Sequence, residues 1–261
     1  GSWKYKVGLD MNEVTPYAER LKNRNNVGSG LYNGMIYPIR NYQVRGTIWY
    51  QGESNAGNTS RYAELVSSLI TNWRELWNMP EMPFLLMQLP NFMQKHDKPT
   101  DSGWARIREA QLQAFKTIPN TALAVTYDVG EWNDIHPLNK KDMAKRLFLG
   151  ARKVVYGEKL VYAGPVYKDM KVEGNKIIIT FTETGRGLMA KGGILKHFAI
   201  AGEDRQFVWA DAVIRGNKVI VSSKDVKQPV AVRYAWSDNP EDANLCNKEG
   251  LLASPFRTDN W

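Results

Sequence analysis

The sequence predicts an α/β region followed by a region of antiparallel strands, and three observations support this division. Continuous apolar runs alternate with segments of helical spacing up to about residue 160. Short strands separated by Gly-containing turns occupy the rest of the chain. Apolar residues make up 43% of the 261 residues, which is enough to bury a sizeable core. We therefore expect two domains, at residues 1–160 and 161–261.

Three apolar strands and three helices alternate in the first region, after an irregular start of about 40 residues. In chain order the predicted elements are a strand at 45–50, a helix at 62–77, a strand at 84–89, a helix at 104–117, a strand at 121–127 and a helix at 139–156. Continuous apolar strands that alternate with helices indicate a parallel sheet covered on both faces. Ligands of such sheets bind beyond the carboxyl ends of the strands. Three strands make a narrow sheet for this architecture.

The sequence pattern changes after Gly157, from helices and apolar strands to short strands separated by turns. Six short strands are predicted there, at residues 170–172, 176–181, 198–201, 208–213, 218–222 and 230–236. Turns such as Gly174-Asn175 and Gly216-Asn217 separate them. Strands this short at such even spacing indicate an antiparallel β-sandwich of about 100 residues.

Composition argues against several classes of protein. The net charge is +8, but the basic residues are scattered among acidic ones and form no phosphate-binding stripe, so nucleic-acid binding is not expected. No segment approaches the roughly 20 apolar residues of a membrane span. The single cysteine, Cys246, allows neither an intrachain disulfide nor a thiolate zinc cluster. We expect no cofactor and no metal.

The first candidate site loop is Gln51-Gly52-Glu53-Ser54-Asn55, which ends the first predicted strand. Glycine permits a tight turn there, and the surrounding amides can serve as donors to an oxyanion. Asn and Ser also favour helix-capping turns, so a purely structural loop is an equal alternative on spacing alone.

The second candidate loop, residues 128–137, lies between the third strand and the third helix and contains Asp134 and His136. An Asp two residues from a His can hold the imidazole in one tautomer and stabilise its charged form. A lone histidine is often structural, but one with an acidic companion at the end of an α/β strand is a candidate general base.

Other chemistries find weaker support. Asp128, Glu131 and Asp134 could supply oxygen ligands, but no metal-binding spacing accompanies them. A serine nucleophile elbow is also missing, because Ala56 stands where G-x-S-x-G requires its last glycine.

Several motifs together resemble the sialate O-acetylesterases. They are G-L-Y-N-G-M-I at 30–36, W-Y-Q-G-E-S-N at 49–55, I-R-E-A-Q at 107–111, N-D-I-H-P at 133–137, V-A-V-R-Y-A-W at 230–236 and S-P-F-R-T-D at 254–259. The resemblance runs in order over nearly the whole chain. It implies an SGNH-type, flavodoxin-like three-layer α/β/α hydrolase domain that removes acetyl groups from sugars through a serine, without a metal.

The resemblance also implies residue roles. His136 would be the general base, and Asp134 its orienting acid, with Glu53 as a rival because the Glu of Q-G-E has been considered for that role in related esterases. Gln51, Gly52, Glu53 and Asn55 would line the site. The family's G-Q-S-N nucleophile motif does not occur in this sequence, and residues 3–8 resemble a segment that follows that motif. The sequence is therefore interpreted as the C-terminal portion of an esterase whose missing N-terminal segment carries the serine.

Two alternatives stay open at this point. A catalytically incomplete carbohydrate-binding or scaffolding protein would account for the absent serine. A glycoside hydrolase using Glu53 and Asp134 would need the two carboxyl groups about 5–10 Å apart. Periplasmic or extracellular localisation is what the family resemblance implies.

Overall fold

The structure is a computed structural model that describes residues 28–261. Residues 28–43 are described by themselves and contain a π-helical turn at Tyr32–Ile36 and a 3-10 helix at Tyr37–Ile39. The predicted irregular start and the resemblance at residues 3–8 otherwise lie outside the described residues. From Val44 to Trp261 the chain forms one compact unit.

The compact unit combines helices with several sheets. Its helices are α1 Tyr62–Leu76, α2 Gly103–Thr117 and α3 Lys140–Val154. Its strands are β1 Thr47–Trp49, β2 Phe84–Met87, β3 Thr121–Ala124, β4 Val166–Glu173, β5 Lys176–Thr182, β6 Leu188–Ala190, β7 Phe198–Ala201, β8 Val208–Trp209, β9 Asp211–Arg215, β10 Lys218–Ser222, β11 Ala231–Tyr234, β12 Leu245–Asn247 and β13 Phe256–Arg257.

The first three strands form a parallel sheet in the order β1-β2-β3. Side chains of opposite faces enter different clusters, as alternation along a strand requires. Phe84 and Leu86 pack with α1 and α2, whereas Leu85 and Met87 pack with α3. The predicted parallel sheet with helices on both faces is confirmed, and each predicted strand and helix of this region lies within a few residues of its observed position.

The strand-rich part contains two four-stranded antiparallel sheets, in the orders β4-β5-β10-β9 and β13-β11-β7-β8. Ile179 of β5, Val219 of β10, Ile200 of β7 and Val232 of β11 belong to one hydrophobic cluster. Apolar side chains of both sheets therefore share a core, as alternating residues of packed strands do.

Two predicted strands were wrong in extent, and the first of them, expected at 170–172, is the longer β4 at Val166–Glu173. Residues 208–213 were expected to form a single strand, but the chain divides at Ala210 into β8 and β9, which pair with different sheets. The apolar run continues through the break, so hydrophobic pattern alone does not reveal it. Three further strands, β6, β12 and β13, are two or three residues long and fall below what periodicity detects.

Packing between helical and strand-rich parts crosses residue 160. Val125 and Tyr127, which follow β3, lie in the same cluster as the antiparallel strands. The Tyr127 hydroxyl lies 3.2 Å from the Tyr234 hydroxyl and donates a hydrogen bond to the carbonyl of Ala253. The division into domains at residue 160 stays a prediction.

Candidate active site

The Gln51–Asn55 loop begins two residues after β1, at the carboxyl end of the parallel sheet. Gly52 has φ of 148°, a conformation that favours glycine, and is followed by a short 3-10 helix at Glu53–Asn55. A Cβ on Gly52 would lie 2.8 Å from Cγ2 of Ile107. Glycine is thus required both by the backbone turn and by the approach of helix α2.

Hydrogen bonds fix Gln51 at this turn. Its carbonyl oxygen accepts from the Tyr62 hydroxyl at 2.7 Å and from Nε2 of Gln111 at 3.0 Å. Its own side-chain Nε2 donates to Oδ1 of Asn55 at 2.8 Å. Because Tyr62 and Gln111 belong to α1 and α2, the two helices together set the direction in which the loop leaves the sheet.

The loop with Asp134 and His136 lies between β3 and α3. The Asp134 carboxylate accepts a hydrogen bond from the backbone N–H of His136 at 2.7 Å. Its Oδ1 is 3.8 Å from Nδ1 of the imidazole, too long for a hydrogen bond. The His136 side chain is 88% exposed. Asp134 therefore holds the backbone of His136 and lies near the ring, but the ring remains open to solvent.

Tyr50, the residue before the first loop, lies near the start of α3, which follows the second loop. Lys140, the first residue of α3, places its Nζ 5.4 Å from the centroid of the Tyr50 ring. Ile135 packs against the same cluster as Tyr50. Burial, and secondarily the charge of Glu53, raise the pKa of Tyr50 to about 12, so its phenol stays protonated at neutral pH. Sequence reasoning gave Tyr50 no role of its own.

The start of the second loop is anchored on α3. Asp128 forms a two-pronged ion pair with Arg146, with one N–O distance of 2.8 Å. This pairing occupies the carboxylate that the sequence offered as a possible metal ligand. Among residues 28–261, no group of three or more His, Cys, Asp or Glu side chains is arranged to hold a metal ion.

These groups suit acid–base chemistry. An exposed imidazole beside a carboxylate can accept and return a proton. Asn55 binds Gln51 through Oδ1, and its Nδ2 makes no hydrogen bond to the described residues, so this amide can donate to a ligand. Within the described part of the chain, no helix is long and apolar enough to cross a membrane.

Comparison with known proteins identifies the group to which these loops belong. Residues 17–146 match the family model described as carbohydrate esterase, sialic acid-specific acetylesterase. The sialate O-acetylesterase of Mus musculus is 32% identical over 255 residues, and that of Homo sapiens is 33% identical over 257. The chain belongs to the sialate O-acetylesterase family of carbohydrate esterases.

A solved structure supports the same assignment. A carbohydrate acetylesterase from Xanthomonas citri is 46% identical and superposes with a TM-score of 0.85, over 88% of this chain and 54% of that chain. The alignments to the mouse and human enzymes cover 87% of this chain but only 47% and 48% of those proteins. The chain therefore spans about half the length of the sialate O-acetylesterases that it matches.

The I-R-E-A-Q run at 107–111 carried the family resemblance, but sequence reasoning gave its members no role. In the structure Arg108 and Gln111 are buried on α2, with exposed fractions of 0% and 2%. Gln111 supports the Gln51 carbonyl, whereas Arg108 binds backbone carbonyls. Polar residues three apart on the apolar face of a helix were the available signal.

Proposed function

We propose that this chain is the part of a serine-type carbohydrate O-acetylesterase that supplies the general base and the lining of the acetyl site. The observation that carries the proposal is that Tyr50, next to the Gln51–Asn55 loop, lies beside Lys140, which follows the Asp134–His136 loop, in a member of an acetylesterase family. Both loops follow strands of one parallel sheet, where α/β proteins bind their ligands.

The proposed reaction is acyl transfer in two steps. A serine hydroxyl attacks the acetyl carbonyl carbon while His136 takes its proton. His136 then returns the proton to the sugar oxygen as the ester bond breaks, and water releases acetate from the acyl-enzyme by the same route. Asp134 is our first choice for the acid that orients His136, because it already binds the His136 backbone. Glu53 stays a rival.

Asn55 is the better side-chain donor for the oxyanion. Its Oδ1 accepts a hydrogen bond from Gln51, which orients the amide. The Gln51 amide nitrogen already donates to Asn55 in that bond. The Gln51 Oε1 also lies 3.2 Å from the Tyr62 hydroxyl. Loss of one oxyanion donor typically costs about 2.7–4 kcal/mol of barrier.

We propose that the missing N-terminal segment supplies the serine and pairs with the outer edge of β1. That edge has no strand partner among the described residues. Ile48, Leu85 and Ala122 are aligned across the three strands. Ile48 is 63% exposed, whereas Leu85 and Ala122 are only 5% and 4% exposed, which supports a missing neighbour beside β1. Helix α3 packs against Leu85 and Ala122 but not against Ile48. A strand added in parallel would end beside Gln51.

The finer assignments belong to the same proposal. Acetylated sugars are the substrate class, with 9-O-acetyl sialic acid or acetylated xylan as the choices to test. The helical part is proposed to be an SGNH-type, flavodoxin-like three-layer domain, and the strand-rich part a β-sandwich. Periplasmic or extracellular localisation is proposed from the family resemblance.

The test measures acetate release from 9-O-acetyl sialic acid and from acetylated xylan. The chain alone is compared with a longer polypeptide that includes the G-Q-S-N segment, and with that polypeptide carrying Ser→Ala in the motif. We expect activity only from the unaltered longer polypeptide, and the preferred ester identifies the substrate.

Two other outcomes would overturn parts of the proposal. Activity of the short chain would mean that a serine within it reacts, and Ser54→Ala and Ser29→Ala would identify which one. If neither polypeptide releases acetate, a carbohydrate-binding or scaffolding role is favoured instead. Glycan binding without hydrolysis would support that role.

A further inference from the structure

The loop that carries Asp134 and His136 is attached to the segment that follows β2. The backbone N–H of Gly130 donates to Oδ1 of Asn91 at 2.7 Å, and the N–H of Met93 donates to the carbonyl of Trp132 at 2.8 Å. The contact is close, because a Cβ on Gly130 would lie 2.2 Å from the Asn91 carbonyl oxygen. The last of these anchors lies two residues before Asp134.

The same segment is held on its other side by the turn after β11. Asn91 donates through Nδ2 to Oδ1 of Asn239 at 3.2 Å, and Asn239 donates through Nδ2 to the carbonyl of Met93 at 2.9 Å. Between them, the N–H of Phe92 donates to the carbonyl of Asp238 at 3.3 Å. Asn91 and Asn239 are only 1% and 2% exposed, so neither can exchange these partners for water.

A buried guanidinium fixes that turn in place. Arg108 of α2 donates to the carbonyls of Ser237 and Asp238 at 2.7 and 3.0 Å, and to the carbonyl of Leu89 at 2.7 Å. Burial lowers the pKa of Arg108 to about 9, so the group remains charged at neutral pH. Ser102, the N-cap of α2, donates to the Asp238 carboxylate at 2.6 Å.

We propose that Asn91 and Asn239 are positioning residues through which the strand-rich part of the chain sets the placement of the Asp134–His136 loop. This inference rests on the proposed function, in which that loop carries the general base. This connection, which we term the brace, runs from Asn239 to Asn91 and Met93, and from these to Gly130 and Trp132. Misplacement of a catalytic group by about 1 Å can cost about 100-fold in rate, so loss of the brace should be visible in turnover.

The test compares Asn91→Leu and Asn239→Leu with a matched control, Asn247→Leu, in the longer polypeptide that includes the nucleophile segment. Asn247 is also a fully buried asparagine of the strand-rich part, but its side chain donates to the carbonyls of Ala163 and Glu183 and accepts from the N–H of Leu251. All three variants should lose stability, because each leaves buried backbone groups without partners. Only the two brace variants should lower kcat, by about 10-fold to 100-fold, with little change in KM.

A milder variant keeps the test meaningful if a leucine variant does not fold. Asn239→Ser introduces neither the bulk of leucine nor a buried charge, and it keeps a hydroxyl near Asn91 but loses the amide that donates to the Met93 carbonyl. We expect a smaller decrease in kcat than for Asn239→Leu. A kcat unchanged in every folded brace variant, or decreased equally in Asn247→Leu, would overturn the proposal.

Amide hydrogen exchange separates this inference from the proposed function. The Gly130 amide is bonded to the Asn91 side chain, so Asn91→Leu should speed its exchange, and Asn247→Leu should not. This readout needs no catalysis. If the longer polypeptide releases no acetate but the Gly130 amide exchanges faster in Asn91→Leu, the proposed function fails and the positioning role is supported. An unchanged exchange rate at Gly130 would overturn the positioning role itself.

Discussion

The two loops of the candidate site are held in opposite ways. The Gln51–Asn55 loop is fixed from within the α/β part, by Tyr62 and Gln111 of the neighbouring helices. The Asp134–His136 loop has an exposed imidazole and is fixed through a relay that ends in the strand-rich part. The proposed acetyl-binding loop is therefore expected to be rigid by itself, whereas the proposed base depends on distant contacts.

The largest effect should come from removing His136, the proposed general base. His136→Ala in the longer polypeptide should lower kcat by about 100-fold to 10,000-fold, the range that general acid–base catalysis contributes. Stability should hardly change, because the side chain is 88% exposed. Steady-state acetate release measures the effect, and Leu138→Ala, at a 77% exposed position of the same loop, is the control. Near-normal turnover of His136→Ala would remove His136 from its role.

A substitution at Gly52 should break the internally fixed loop. Gly52→Ala adds a Cβ at 2.8 Å from Ile107 and forces a non-glycine residue to φ of 148°. We expect a loss of unfolding free energy on the order of 2 kcal/mol or more, measured by denaturant titration. Gly57→Ala is the control, since nothing lies within 4 Å of its Cβ position. Equal stability of the two variants would contradict the idea of a tightly packed turn.

The donors to the Gln51 carbonyl should have smaller and coupled effects. Tyr62→Phe and Gln111→Leu each remove one of two hydrogen bonds to the same oxygen. Tyr62→Phe should cost about 1 kcal/mol of unfolding free energy, and Gln111→Leu about 2 kcal/mol, because it also leaves the buried N–H of Leu89 without its acceptor. Because they share an acceptor, the double variant should lose more than the sum of the single ones. Thermal unfolding of all three variants tests this. Strict additivity would show that the carbonyl is not held jointly.

The smallest expected effect concerns Tyr50 and pH. Burial and the charge of Glu53 raise its pKa from 10 to about 12, so the folded protein favours the neutral phenol. This stabilisation is complete below pH 10 and is lost as pH rises from 10 to 12. Tyr50→Phe should therefore lose less thermal stability over that interval than the unaltered chain. An equal loss of thermal stability in both proteins over this interval would contradict the raised pKa of Tyr50.

Sequence reasoning predicted the order of elements well where the pattern is local. The strands around Ile48, Leu85 and Leu123 were identified from continuous apolar runs, and the helices from 3.6-residue spacing. It was wrong at Ala210, where the chain changes sheets within an apolar run.

The candidate site was predicted only in part, because its supports are distant in sequence. Gln51 and His136 stand out beside the strand ends that carry them. Their partners Tyr62, Gln111 and Asn91 lie on other elements, and no spacing rule connects residues 91 and 239. Pairing between distant side chains depends on how the elements pack, which a single sequence does not encode in any local pattern.

The contact of Tyr127 with Tyr234 has a consequence for how the molecule unfolds. Both rings are fully buried, and the Tyr234 hydroxyl also accepts the N–H of Leu245. Separating the residues before and after 160 would leave the Tyr127 hydroxyl without either of its partners and would expose the core around both rings. Heating should therefore melt both parts in one calorimetric transition, and a protease that cuts near residue 160 should release no independently stable fragment.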